Sequence, residues 1–133
     1  MRPGPVHCVD TWQNHGMTEG ARDTWTEFSR NIRSWGDKVR PHRGWSHELA
    51  AGLAGELAPG LSLVFFDGDH SYDGVRRDWE SFRPLLAPGA VVAFHDVGWA
   101  EGVQRLVAEA VEPRAAWAGR LPNLYWAQLR DER

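Results

Sequence analysis

Five side chains able to do chemistry stand directly after two apolar runs. Asp67, Asp69 and His70 crowd into four positions behind Leu61-Ser62-Leu63-Val64-Phe65-Phe66, and His95 and Asp96 follow Ala90-Val91-Val92-Ala93-Phe94. Charges clustered at a strand end must be solvated, paired or put to use, so the pattern marks a binding or reacting site. Asp67, His95 and Asp96 are candidate ligands for one divalent ion: carboxylates suit Mg²⁺, Mn²⁺ or Ca²⁺, and an imidazole shifts the preference toward a transition metal. The alternative is structural, with Asp67 capping the next turn and His95 bonded to nearby backbone. His70 is the candidate general base, since imidazole takes a proton near neutral pH. Asp69 either orients it or opens the next helix, where the dipole favours a carboxylate. Asp10 ends an earlier apolar run, Val6 to Val9, where a carboxylate can accept both hydroxyls of a ribose or simply cap a loop. His7 reads as a satisfied core or edge residue, and His15 and His42 as loop residues.

The elements that must position these groups follow from periodicity and turn chemistry. Strands are expected at Val6 to Val9, over Lys38-Val39-Arg40-Pro41-His42-Arg43-Gly44 as a short edge strand, at 61–66 and at 90–94. The last two are continuous apolar runs, the pattern of strands covered on both faces. Helices are expected from Thr24, with a capping box to Glu27 and an apolar face of Trp25, Phe28, Ile32 and Trp35 ended by Gly36. Others are expected from Ser46 as N-cap to Leu57, closed by Pro59-Gly60, from Tyr72 to Leu86, and over about Glu101 to Val111. The tail predicts two short strands meeting near Pro122-Asn123. Strands alternating with helices give an α/β fold, a mostly parallel sheet with helices on both faces, and ligands in such sheets bind beyond the carboxyl ends of the strands. Asp10, Asp67 with His70, and His95 with Asp96 all lie there.

The chain has 133 residues, the length of a single domain spanning 1–133. A formal net charge of -3 with 42% hydrophobic and 25% charged residues describes an ordinary globular protein and gives no reason to expect nucleic acid binding. No stretch approaches the ~20 apolar residues of a membrane span, and the start carries no signal-peptide pattern. The single cysteine, Cys8, can form no internal disulfide, which fits an intracellular, cytoplasmic setting. Of the eight tryptophans, Trp12, Trp45 and Trp99 fall in or beside expected loops, either capping the core or lining a pocket for a flat ligand.

The strings FFDGDHSYDGV, LLAPGAVVAFHDV and VHCVDTW…DTWTEF…PHRGWSHELA together resemble the class I S-adenosylmethionine-dependent methyltransferases. Within them the chain is most similar to the small-molecule O-methyltransferases that include macrolide-sugar and catechol enzymes. The resemblance implies a Rossmann-like sheet ending in an antiparallel strand pair, S-adenosylmethionine as cofactor, and methyl transfer to a hydroxyl of a small molecule such as a sugar or polyphenol. It implies that Asp10 with Thr11 holds the cofactor ribose and that Trp45, Ser46 and His47 border the adenine. It makes Asp67 the first metal carboxylate, counted with both the catalytic and the cofactor-binding residues, His70 the base, and His95 and Asp96 the remaining ligands of Mg²⁺ or Mn²⁺. His95 stands where relatives carry an oxygen ligand, which leaves the metal open. The sequence begins at what should be the family's second strand and contains no G-x-G, so the glycine-rich first strand and turn are missing. That strand belongs between those ending at Asp10 and Asp67. Either these two close up, or a partner chain or second copy supplies a strand, or the chain is part of a longer product. Rival readings are a noncatalytic binding or assembly subunit and a metal-dependent hydrolase built on Asp67, His95 and Asp96.

Overall fold

The computed structural model describes residues 4–14, 20–57 and 60–131. His15 and Pro59 lie outside them. The chain divides into two compact units, Met1–Leu49 and Ala50–Arg133.

In the first unit, strands β1 (Val6–Asp10) and β2 (Val39–Arg43) pair in parallel, with Asp10 opposite Arg43. Helix α1 (Trp25–Ile32) is shorter than its apolar periodicity suggests. The Thr24 side chain makes no capping bond, and Asp23 Oδ1 instead accepts the Trp25 amide at 2.9 Å. A 3-10 segment, Arg33–Lys38, follows, and it turns through Gly36 at φ 52°. Trp35 therefore leaves the helical face and is exposed. The unit's aromatic core is built around buried Trp12, which meets Trp25 edge-on at 4.9 Å and Phe28 at 4.6 Å. His42 is a strand residue, stacked on His7 with their ring nitrogens 2.9 Å apart. Helix α2 (Ser46–Leu53) runs across the boundary between the units. Ser46 is its first helical residue and not its cap, since the Glu48 and Leu49 amides return to the Trp45 carbonyl.

In the second unit, β3 (Leu61–Phe66) pairs in parallel with β4 (Leu86–His95). The antiparallel hairpin β5 (Ala115–Leu121) and β6 (Leu124–Leu129) adds to β4, giving the order β3-β4-β6-β5. Helix α3 (Tyr72–Phe82) starts at Ser71, whose Oγ accepts the Gly74 amide. Helix α4 (Glu101–Leu106) passes into a π-helical turn, Val107–Val111. One sheet face carries the core: Phe66, Val92, Phe94, Tyr125 and Ala127 are buried, as are Val75, Trp79 and Phe82 of α3 and Val103 and Leu106 of α4. Phe66 and Phe94 stack at 4.7 Å.

The parallel strands, intervening helices and C-terminal antiparallel pair are those of the expected α/β Rossmann-like fold. Two features differ. Leu63 and Phe65 are exposed, because side chains alternate along β3 and these two point to the face opposite the one that carries the core. The described ladders also do not include pairing between β1 and β3, the first of the three routes by which the missing strand's place would be filled.

Phe94 has no exposed surface and is the largest of the fully buried side chains, so Phe94→Ala should destabilise the second unit by about 3–5 kcal/mol. Denaturant unfolding followed by tryptophan fluorescence measures it, and a loss below about 1 kcal/mol contradicts this core.

Candidate functional site

Because β3 and β4 are parallel neighbours, their carboxyl ends lie side by side. That placement brings Asp67 and His95 together, with His95 Nδ1 3.0 Å from Asp67 Oδ1. His95 Nδ1 is also 3.2 Å from Asp96 Oδ1. His70 reaches the same point from the loop before α3, its Nε2 2.7 Å from Asp96 Oδ2. Asp67, His70, His95 and Asp96 thus form one cluster, as their strand-end positions predict.

Asp96 is its buried centre, 8% exposed, and has the left-handed φ of 65° that few non-glycine residues adopt. Its Oδ1 accepts hydrogen bonds from the Trp99 indole N–H at 3.0 Å and from Asn123 Nδ2 at 3.2 Å. Burial pushes the Asp96 pKa up, but the bonds from Trp99 and Asn123 and the neighbouring His95 and His70 rings outweigh it. The carboxyl ends below the ordinary aspartate value.

An ionised carboxylate only accepts hydrogen bonds, so the 2.7 Å contact places a proton on His70 Nε2. In the neutral ring of that tautomer, Nδ1 is the nitrogen without a proton. Trp99 packs edge-on against this imidazole at 4.7 Å and remains 55% exposed. Asp69 does not orient His70; its Oδ1 accepts the Ser71 amide at 2.8 Å and closes the turn into α3. Gly102 at the start of α4 lies so close to the backbone of His70 to Tyr72 that no Cβ fits there. Backbone contact therefore fixes the height of the His70 loop.

Asp67, His95 and Asp96 offer ligand atoms that all lie within 4.8 Å of one another, so the donor set fits a divalent ion. Asp67 and His95 are the accessible members, whereas Asp96 is largely engaged inside the protein. A mixed carboxylate and imidazole set accommodates Mn²⁺ or another transition ion more readily than Mg²⁺.

Apart from Asp67, which follows β3 in the second unit, the residues expected at the cofactor lie in the first unit, at the carboxyl ends of β1 and β2. Asp10 is exposed, and its Oδ1 accepts the Trp12 amide at 2.8 Å while its carbonyl accepts the Gly44 amide at 2.9 Å. Its carboxylate therefore caps the loop through Thr11, as the simpler reading of a lone aspartate anticipates. Trp45, Ser46 and His47 follow β2, with the Trp45 and His47 rings 6.3 Å apart. Sequence reasoning singled out neither Asn123 nor Trp99 as a partner of Asp96. A Pro-Asn turn signal and a tryptophan three positions past an aspartate were the only local traces.

The profile of a family described as a methyltransferase domain matches residues 1–97. The chain belongs to this family. No curated protein matches it. Among solved structures, this methyltransferase domain is similar to the O-methyltransferase NovP, with TM-score 0.73 and 18% identity over 98% of this chain and 62% of that one. It is also similar to CalS11, a TDP-rhamnose 3'-O-methyltransferase of calicheamicin biosynthesis, with TM-score 0.68 and 16% identity over 93% of this chain and 58% of that one. A third is MycE of the mycinamycin pathway, solved with Mg, SAH and mycinamycin VI, with TM-score 0.56 and 14% identity over 96% of this chain and 45% of that one. At such identities the likeness establishes the fold. The domain spans less than two thirds of the length of each of these three. Among the described residues no helix is long and apolar enough to cross a membrane.

The lowered Asp96 pKa has a consequence for stability. A group depressed in the folded state contributes stability that is fully present above its unfolded pKa, about 3.9, and is lost as pH falls through the lower folded value. The stability difference between wild type and Asp96→Asn should shrink as the medium is acidified from about pH 4 downward. Urea midpoints across that range measure it, and a gap that widens on acidification contradicts the assignment.

Proposed function

We propose that this chain is one methyltransferase-like domain that transfers the methyl group of S-adenosylmethionine to a hydroxyl of a small molecule, with His70 as the general base. Family membership supports methyl transfer. The observation that carries the catalytic reading is the His70–Asp96 pair at 2.7 Å, next to accessible Asp67 and His95. S-Adenosylmethionine, when bound, supplies an electrophilic methyl on a sulfonium and leaves as the thioether. Asp10 and Thr11 would hold its ribose, and Trp45, Ser46 and His47 would border its adenine.

His70 keeps the tautomer that exposes Nδ1 and takes the acceptor's hydroxyl proton there as the oxygen–methyl bond forms. Asp96 stabilises the imidazolium this produces, which is the role of an orienting carboxylate beside a histidine base. Asp67, His95 and Asp96 would hold a divalent ion, which lowers the pKa of a bound hydroxyl and fixes its direction. Exposed Trp99, edge-on to His70, offers an apolar surface for a sugar or aromatic acceptor. In this reading the acceptor is a small molecule of secondary metabolism handled in the cytoplasm, and neither nucleic acid nor membrane is a partner. A strand from a second copy, from another chain or from a longer product of which this chain is part would complete the β3 edge.

Transfer of labelled methyl from S-adenosylmethionine to a panel of deoxysugar and polyphenol hydroxyls tests this. His70→Ala should lower kcat by about 10²–10⁴-fold, the usual contribution of a general base, with little change in cofactor affinity. Asp67→Ala or chelation should reduce the rate, with recovery on adding Mn²⁺. Full activity in both variants removes the assigned roles. Metal-dependent ester hydrolysis without methyl transfer would replace this reading with the hydrolase one, for which the Asp67, His95 and Asp96 cluster is the supporting observation.

A further inference from the structure

We propose that Asn123, in the turn of the C-terminal hairpin, is a positioning residue of the site: its side-chain amide holds the Asp96 carboxylate in the orientation that fixes His70. The proposal rests on the reading of His70 as the base for its catalytic meaning, and on geometry alone for the positioning itself.

Asn123 meets the loop after β4 at three points. Its backbone carbonyl accepts the Asp96 amide at 3.1 Å, its Oδ1 accepts the Gly98 amide at 3.0 Å, and its Nδ2 donates to Asp96 Oδ1 at 3.2 Å. The two side-chain bonds need opposite ends of one amide. Gly98 offers a donor and Asp96 an acceptor, which also fixes which end of the amide is oxygen. Aspartate satisfies only the Gly98 side and sets a second carboxylate against Asp96. Alanine satisfies neither.

The contact is also close. A Cβ on Gly98 would lie 2.5 Å from the Pro122 carbonyl oxygen, so this loop and the hairpin turn meet backbone to backbone. Asp96 meanwhile sits at φ 65°, a conformation that a non-glycine residue keeps only where its surroundings over-determine it. Asn123 supplies those surroundings from 27 residues away in sequence.

With Oδ1 occupied by Trp99 and Asn123, the carboxylate presents Oδ2 to His70 Nε2. The line of control runs from the hairpin turn through Asp96 to the imidazole. Asn123 lies beyond residues 1–97, the stretch the methyltransferase profile matches.

The test uses ¹⁵N-labelled full chain and long-range proton–nitrogen NMR of the histidine rings, at a pH well above the ordinary imidazole pKa of about 6.5. Wild type should show His70 as a single tautomer protonated at Nε2. In Asn123→Asp and Asn123→Ala, β4 and α3 backbone amides should keep their wild-type dispersion, while the two His70 ring nitrogens move toward the averaged shifts of exchanging tautomers. The Trp99 indole N–H signal should shift with them. Unchanged His70 signals in both variants overturn the proposal. So does collapse of the β4 amide dispersion in both, which would make Asn123 a purely structural residue. The readout needs no acceptor and no turnover. If the His70 tautomer responds to Asn123 while His70→Ala leaves methyl transfer intact, the positioning stands and the base assignment fails.

Discussion

A buried carboxylate at the end of a parallel strand is the constraint on which this site depends. Asp96 leaves β4 in a conformation that only close support can hold, and it is taken out of water where an unpaired charge is costly. The protein compensates from four directions: His70 from the loop before α3, His95 from the strand itself, Trp99 from the following turn and Asn123 from the hairpin. Each bond relieves the burial cost, and the contacts with His70 and His95 also set where the two imidazoles stand. The parallel pairing of β3 and β4 is what makes this possible, since it delivers Asp67 and His95 to the same end of the sheet.

Packing and chemistry are continuous here. Phe66 and Phe94 stack one residue before Asp67 and His95, so the rigid core runs to the edge of the cluster. On the far side, the exclusion of any Cβ at Gly102 seats α4 against the His70 loop. A site held between a stacked aromatic pair and a backbone contact is pre-organised.

How much of this the sequence disclosed depended on whether a signal was local. The strands at 61–66 and 90–94 were legible because continuous apolar runs between turn residues have few other meanings, and the alternation with helices then placed Asp67, His70, His95 and Asp96 at the carboxyl ends of the parallel strands. Exposure along β3 was not legible, because an apolar run does not say whether both faces of its strand are covered. Local capping patterns misled: Thr24 makes no capping bond while Asp23 accepts the Trp25 amide, and Trp45 takes the place expected of Ser46. Asn123 stayed hidden because its role rests on contacts 25 and 27 residues distant, to which no spacing rule applies. Asp69 was the only partner the sequence suggested for His70, but topology brought Asp96 to the imidazole and left Asp69 to close a turn.

The central claim is that this chain still carries a working methyltransferase site, and the direct measurement is calorimetric titration of the purified protein with S-adenosylhomocysteine in the presence of Mn²⁺. The account predicts saturable heat with a dissociation constant in the micromolar range, about -8 kcal/mol of binding free energy, and weaker binding in Asp10→Ala. Absence of any saturable heat, with and without metal and for a chain shown to be folded, would contradict it.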